Sequence, residues 1–323
     1  MTGTKVVKLK LEDGGADRLP RLKSVVGEAV NLFSMIEYPV PGGGEEHAFY
    51  EKVMKSSRGW NFTSDQLQQV YDGLEGTYSR DDFSYKSGVF LTALMQNSSS
   101  SDFTLKVRSR LYFLGINLTE GKSLTVEGDV GGFTGDSMSG GIIRVKGDVE
   151  HSTGNGMTGG RLEVEGKART FVGSWMRGGS IHVNSDAQDG VGVHMEEGEI
   201  TINRSAGKNV GSNMKGGKIT IGEDVGESAG WNMQAGSILV KRDADDSAGD
   251  SMRGGHLEIG RNAGNSTGHE LRGGTVHVKG NAGNWTGEKM EAGILKIEGN
   301  IRGMSKDIRG GEIWEGDRRV WPK

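Results

Sequence analysis

Beyond about residue 120, apolar positions come in short alternating triplets. Ile143-Arg144-Val145, Leu162-Glu163-Val164, Ile219-Thr220-Ile221 and Leu257-Glu258-Ile259 each place apolar residues at i and i+2 with a polar residue between them. That is the period of a strand with one buried face. Stepping by 19 from Gly135 gives Gly154, Gly173, Gly192, Gly211, Gly230, Gly249, Gly268 and Gly287. Three residues after each glycine stand Met138, Met157, Met176, Met195, Met214, Met233, Met252, Leu271 and Met290. A second glycine keeps the same step from Gly141 to Gly293, and a small apolar position runs from Val130 through Ala168 and Ala206 to Ile301.

Strands this short are not stable alone. Wound so that each residue lies over its counterpart on the coil before, they pair with the coils above and below and stack like on like. The pattern predicts a mainly β protein: a right-handed β-helix, a solenoid of about ten 19-residue coils over residues 105–323. Glycine serves the corners, where a bend needs positive φ or close backbone approach. The step holds without insertion from Gly135 to Gly293, then falls one residue short at Gly310-Gly311, so the last coil, near Trp314, reads as a cap. At ~4.8 Å per coil the rod is about 45–50 Å long.

Residues 1–104 lack the repeat and predict a small α+β domain that caps the open end of the solenoid or docks a partner. Val6 to Leu11 reads as a strand. Leu19 to Met35 reads as a helix with Pro20 in its first turn. Pro39 to Gly44 is a loop. Thr63-Ser64-Asp65 followed by Gln66 reads as an N-cap leading into a helix over Leu67 to Leu74. Tyr85 to Met95 predicts a third helix, Asn97 to Ser101 a serine linker, and Phe103 to Val107 a strand leading into the solenoid.

Composition sharpens this picture. The chain holds 56 glycines but 4 prolines in 323 residues, which excludes collagen, and its 33% hydrophobic content suits a thin, elongated core. A net charge of −4 gives no nucleic-acid footprint. With no cysteine, the chain has no disulfide, thiolate-held metal centre or cysteine nucleophile. No signal peptide or spanning helix is read, and a cytoplasmic location is expected.

Several motifs dissolve into the repeat. Gly154-Asn155-Gly156-Met157-Thr158-Gly159 matches a dinucleotide fingerprint, but a strand follows it where that fingerprint needs a helix. Ser228 and Ser266 each sit in a Gly-x-Ser-x-Gly pentapeptide at one repeat phase; a serine-hydrolase elbow also needs a helix after it. His182 and His277 lie five coils apart, too far to share a metal ion, and His47 and His151 are isolated in sequence. Asp250, His269 and Glu288 fall in phase on successive coils, a candidate polar cluster or a surface charge ladder. Arg177, Glu196, Lys215, Gln234, Arg253, Arg272 and Glu291 form a mixed-sign ladder, a solvated face or a polar docking face. Trp175, Trp231 and Trp285 lie outside the inward positions and are candidate interface anchors.

The unit Gly-x-x-Met-x-Gly-Gly-x-Ile-x-Val, as in Gly135 to Val145, resembles the repeat of the β-helix subunit family of formylmethanofuran dehydrogenase. It is also similar to the C-terminal GXGXG β-helix domain of the glutamate synthase large subunit. The resemblance covers about residues 115–316. It implies a non-catalytic scaffold or partner-binding subunit of an oxidoreductase complex in archaeal one-carbon (methanogenesis-type) metabolism. It implies no catalytic, cofactor or metal residue in this chain; metal-pterin, zinc and iron–sulfur sites would belong to partner subunits. The alternatives are a stand-alone glutamate-synthase-type β-helix supporting amidotransferase or other chemistry, and, from a different class, a serine hydrolase. Protein partners in a complex of several subunits are expected; nucleic acid and membrane are not.

Overall fold

The computed structural model describes residues 25–36, 45–75 and 80–322. Four helices come first: α1 (Val25–Met35), α2 (Glu46–Ser56), α3 (Ser64–Glu75) and α4 (Arg80–Asn97). A single sheet of 13 strands follows in strict chain order. It opens with β1 (Asp102–Lys106), β2 (Ser123–Glu127) and β3 (Ser139–Val145) and ends with β12 (Glu312–Glu315) and β13 (Arg318–Trp321). Each strand from β1 up to the one before β12 pairs in parallel with the next, and β13 turns back antiparallel on β12. Among the described residues, no helix is long and apolar enough to cross a membrane.

The winding is the one the 19-residue step requires. Ile143 pairs with Leu162, Leu162 with Ile181, and Ile181 with Ile200. Met138, Met157, Met176, Met195, Met214, Met233, Met252, Leu271 and Met290 are all fully buried, as are the alternating Ile, Val and Leu of the strands. The parallel pairings from β1 to β12 number eleven, one more than the roughly ten coils expected.

The corner before each buried Met is tighter than glycine spacing alone suggested. Gly211 has φ +67°, and a Cβ there would sit 2.3 Å from Ile238 Cδ1. Left-handed residues two places before and after it complete the bend: Asn209 (φ 61°) and Asn213 (φ 57°). Their counterparts on other coils are Ser, Asn, Phe, Trp, His, Glu, Lys or, at Gly156 and Gly190, glycine. Asn tolerates this region, but bulky residues there carry a local conformational cost that the surrounding ladder must offset.

A second ladder was not foreseen. Asp148 N–H donates to Asp129 Oδ1, Asp243 N–H to Asp224 Oδ1, and Asn262 N–H to Asp243 Oδ1. Asn281 and Asn300 repeat the contact on their predecessors. On most coils a side chain at this position thus accepts the backbone N–H of its successor, Lys167 being the exception, and satisfies a donor at a corner where strand pairing lapses. The signal was present as Asp or Asn at the 19-residue step, but it reads as ordinary turn composition until the coils are stacked.

Among the described residues before β1 the regular elements are helices, and the strand foreseen at Phe103 to Val107 leads into the solenoid as the first strand of its sheet. The strand expected at Val6 to Leu11, the loop at Pro39 to Gly44 and the start of the helix from Leu19 lie outside the described residues. Helix α2 was not anticipated, although Phe49, Tyr50 and Val53 are spaced to bury one face. The N-cap reading at Thr63 is realised as a capping box: Gln66 N–H donates to Thr63 Oγ1 at 3.3 Å, and Thr63 N–H to Gln66 Oε1 at 2.9 Å.

Helix α3 closes the open edge of β1. Ser64 Oγ accepts from Thr104 N–H at 2.8 Å and donates to Thr104 O at 3.1 Å. One turn on, Gln68 does the same for Lys106. Another turn on, Tyr71 Oη accepts from the N–H groups of Arg108 and Ser109. Burial, and then the hydrogen bond to Glu75, raise the Tyr71 hydroxyl to about 12, so it stays a hydroxyl at this junction. Polar side chains one helical turn apart thus occupy the place of a preceding strand.

Candidate interaction surface

The left-handed corner runs the length of the solenoid and carries its most exposed aromatic residues. Trp175, Trp231 and Trp285 are 46%, 41% and 58% exposed, and Phe171 is 47% exposed. Trp175 and Trp285 are held outward by positive φ, at 58° and 56°. On the 19-residue step successive tryptophans stand about three coils apart, about 14 Å at the strand spacing. Trp175 has one face covered by His194, stacked at 4.1 Å between centroids and 16° between planes. On the first coils the same corner is covered by the helical region: Tyr85 of α4 stacks on Tyr112 at 4.2 Å, and Phe113 on Phe133 at 4.6 Å.

The remaining polar candidates separate on inspection. His269 Nδ1 lies 3.2 Å from Asp250 Oδ1, so two members of the Asp250, His269 and Glu288 cluster meet. Among the described residues, no side-chain hydrogen bond or ion pair joins Glu288 to them. Among the described residues no group of three His, Cys, Asp or Glu side chains is disposed to hold a metal ion. The mixed ladder largely neutralises itself: Glu196 pairs with Arg177 at 3.2 Å and Lys215 at 2.9 Å, and Arg272 lies 3.6 Å from Glu291. The lysine and arginine contacts hold the Glu196 carboxyl below the usual carboxylate range. Such exposed pairs contribute little, about 0–1 kcal/mol each. His182 bonds Asn184 and His277 bonds Glu298, each within its own neighbourhood. Ser228 and Ser266 are positive-φ corner residues followed by further turns and then a strand, where a hydrolase elbow needs a helix.

A buried acid was missed. Asp136, 5% exposed, occupies the same ladder as Asp250 and His269 where α2 meets the solenoid. It accepts from Asn155 Nδ2 at 2.7 Å and Ser137 Oγ at 3.1 Å, and His47 Nε2 of α2 lies 3.9 Å away. Burial raises its carboxyl pKa against these stabilising contacts. His47, isolated in the sequence, is therefore brought to a carboxylate by folding. No sequence pattern linked positions 47 and 136.

These features define a class: a capped β-solenoid with a sealed apolar interior and an aromatic-bearing outer corner. No family model matches the chain, and no curated protein matches it.

Proposed function

We propose that the chain is a non-catalytic scaffold subunit that binds protein partners along its left-handed corner. In this reading it belongs to a formylmethanofuran-dehydrogenase-like complex of one-carbon metabolism, and any metal-pterin, zinc and iron–sulfur chemistry resides in the partner subunits. The observation that carries the reading is the set of half-exposed Trp175, Trp231 and Trp285 beside a polar ladder in which Glu196 is already paired with Arg177 and Lys215. Tryptophan loses little entropy on burial and is enriched among interface anchors, whereas isolated exposed aliphatics call for no partner. The filled interior supports the same role, because a rod packed with stacked Met, Ile and Val holds its outer positions at fixed spacing.

The test is purification of the tagged full chain from its native cells, with mass spectrometry of what accompanies it. Stoichiometric recovery of subunits bearing a metal-pterin and an amidohydrolase centre is expected, lost on triple replacement of the three tryptophans by Ser. Recovery with an amidotransferase instead would favour the glutamate-synthase-type alternative. A chain that elutes alone and at monomer mass would sink both.

A further inference from the structure

A trough lies on the first coils, outside the left-handed corner. Its cavity volume is about 320 Å³, at the lower end of the range for small-molecule sites, about 300–1,000 Å³. Val130, Val149, Ala168 and Ala187 make its floor, joined coil to coil by parallel bridges. Asp148, Lys167 and Asp186 stand along one side, and Glu150, Arg169 and Gln188 along the other. The second side carries three long polar side chains in succession. At the same repeat position the chain later has Gly207, Gly226, Gly264 and Gly283, with Asp245 and Arg302 as the exceptions. Arg110, fixed by Glu150 at 2.5 Å and Asp129 at 3.5 Å, also lines the trough.

The bonds already made around the trough decide its chemistry. Glu150 is held by Tyr112 Oη and Arg110 Nη1, both at 2.5 Å; its burial penalty is outweighed, and its pKa lies below the usual range. Asp148 Oδ1 accepts the Lys167 N–H at 2.7 Å. Asp186 accepts the Ser205 N–H and faces Lys167 at 3.9 Å and Arg204 at 3.7 Å. The acids are thus committed. Among the described residues, Arg169 makes no ion pair within 4.0 Å, although its charge helps to lower the Glu150 carboxyl, and the Gln188 side-chain amide has no hydrogen bond. The groups left to bond are the Arg169 guanidinium, a donor only, and the Gln188 amide, which can donate through its nitrogen; an arginine fork matches an oxyacid in a bidentate way.

We propose that this trough binds a small molecule carrying an anionic oxyacid group, which Arg169 and Gln188 hold while the Val and Ala floor takes its hydrocarbon part. Carboxylates and phosphates share this chemistry.

The test is a titration of the ¹⁵N-labelled full chain with succinate, with inorganic phosphate, and with neutral succinamide as control. Succinate or phosphate is expected to shift the resonances of Ala168, Arg169 and Gln188, whichever binds more tightly naming the source, while succinamide leaves them in place. Arg169→Gly is expected to fold, because four later coils carry glycine there, and to weaken anion binding by about tenfold or more. Arg169→Gln, which keeps the length and removes the charge, serves if the glycine variant melts early. Equal shifts with succinamide, no shift with either anion, or affinity unchanged in both variants would overturn the proposal.

Discussion

The side-chain amide of Gln68 holds Lys106 by both of its backbone groups, accepting its N–H at 2.8 Å and donating to its carbonyl at 3.1 Å. With the matching pair from Ser64 to Thr104, it gives the edge strand the bonds that a neighbouring coil would otherwise supply. An exposed edge invites pairing with another chain, and natural sheets blunt it. Here the blunting comes from side chains at i and i+4 on a helix.

Ser64→Ala with Gln68→Ala should therefore destabilise the capped end by about 1–3 kcal/mol. Light scattering should also detect concentration-dependent association through β1. A double variant that stays monomeric, with an unchanged denaturant midpoint, would mean that water serves this edge as well as the helix does.

The central methionines define the second expectation. Met195→Asp or Met214→Asp places a charge in a ladder with no polar partner and should abolish cooperative melting. Met195→Leu, nearly equal in volume, should cost less than about 1.5 kcal/mol. Cooperative melting of the aspartate variants followed by circular dichroism would contradict a tightly packed interior.

Two glycines with similar backbone angles should respond differently to alanine. Gly121 has φ +80° and open space around the added Cβ, so Gly121→Ala should cost only the conformational penalty, about 1–2 kcal/mol. Gly192 has φ +68°, and its added Cβ would lie 2.3 Å from Ile219 Cδ1. Gly192→Ala should cost clearly more, because it adds overpacking to the same penalty. Chemical denaturation of the two variants makes the comparison.

Asp136 gives a pH dependence of definite sign. Its folded-state pKa is raised, mainly by burial, so the folded protein holds a proton that the unfolded chain releases. The stability linked to this group is present below the unfolded value, near 3.9, and is lost as pH rises through the folded one. Asp136→Asn should form with Asn155 an amide pair like that of Asn232 and Asn213, which lie one position further along the corner at 2.6 Å. It should be the more stable protein at pH 7, by about 1 kcal/mol, with the gap closing on acidification. Melting temperatures measured across pH would show this; a gap that widens at low pH would identify the His47 contact as dominant.

Much of the architecture was legible because the solenoid's contacts lie at one fixed sequence distance. Met157 and Met176 must stack if the chain winds at all, and period-2 burial on each strand sets which face is inside. Gln66 likewise announced its cap at Thr63, three residues away. Helix α2 was missed because one buried face of three residues is a weak signal beside a long repeat. The Asp and Asn ladder was missed because its bonds run between coils, through backbone donors that composition does not reveal.

The amino-acid order by itself determined the coil length, the identity of the buried ladders and the outward placement of Trp175, Trp231 and Trp285, since each follows from local periodicity. Tertiary structure alone decided that His47 meets Asp136, that Gln68 binds Lys106, and that Glu150 is bonded by Arg110 and Tyr112 while Arg169, among the described residues, makes no ion pair within 4.0 Å. Those outcomes depend on where two non-repeating segments dock and on which of several nearby charges a side chain reaches. Neither leaves a periodic trace in the sequence.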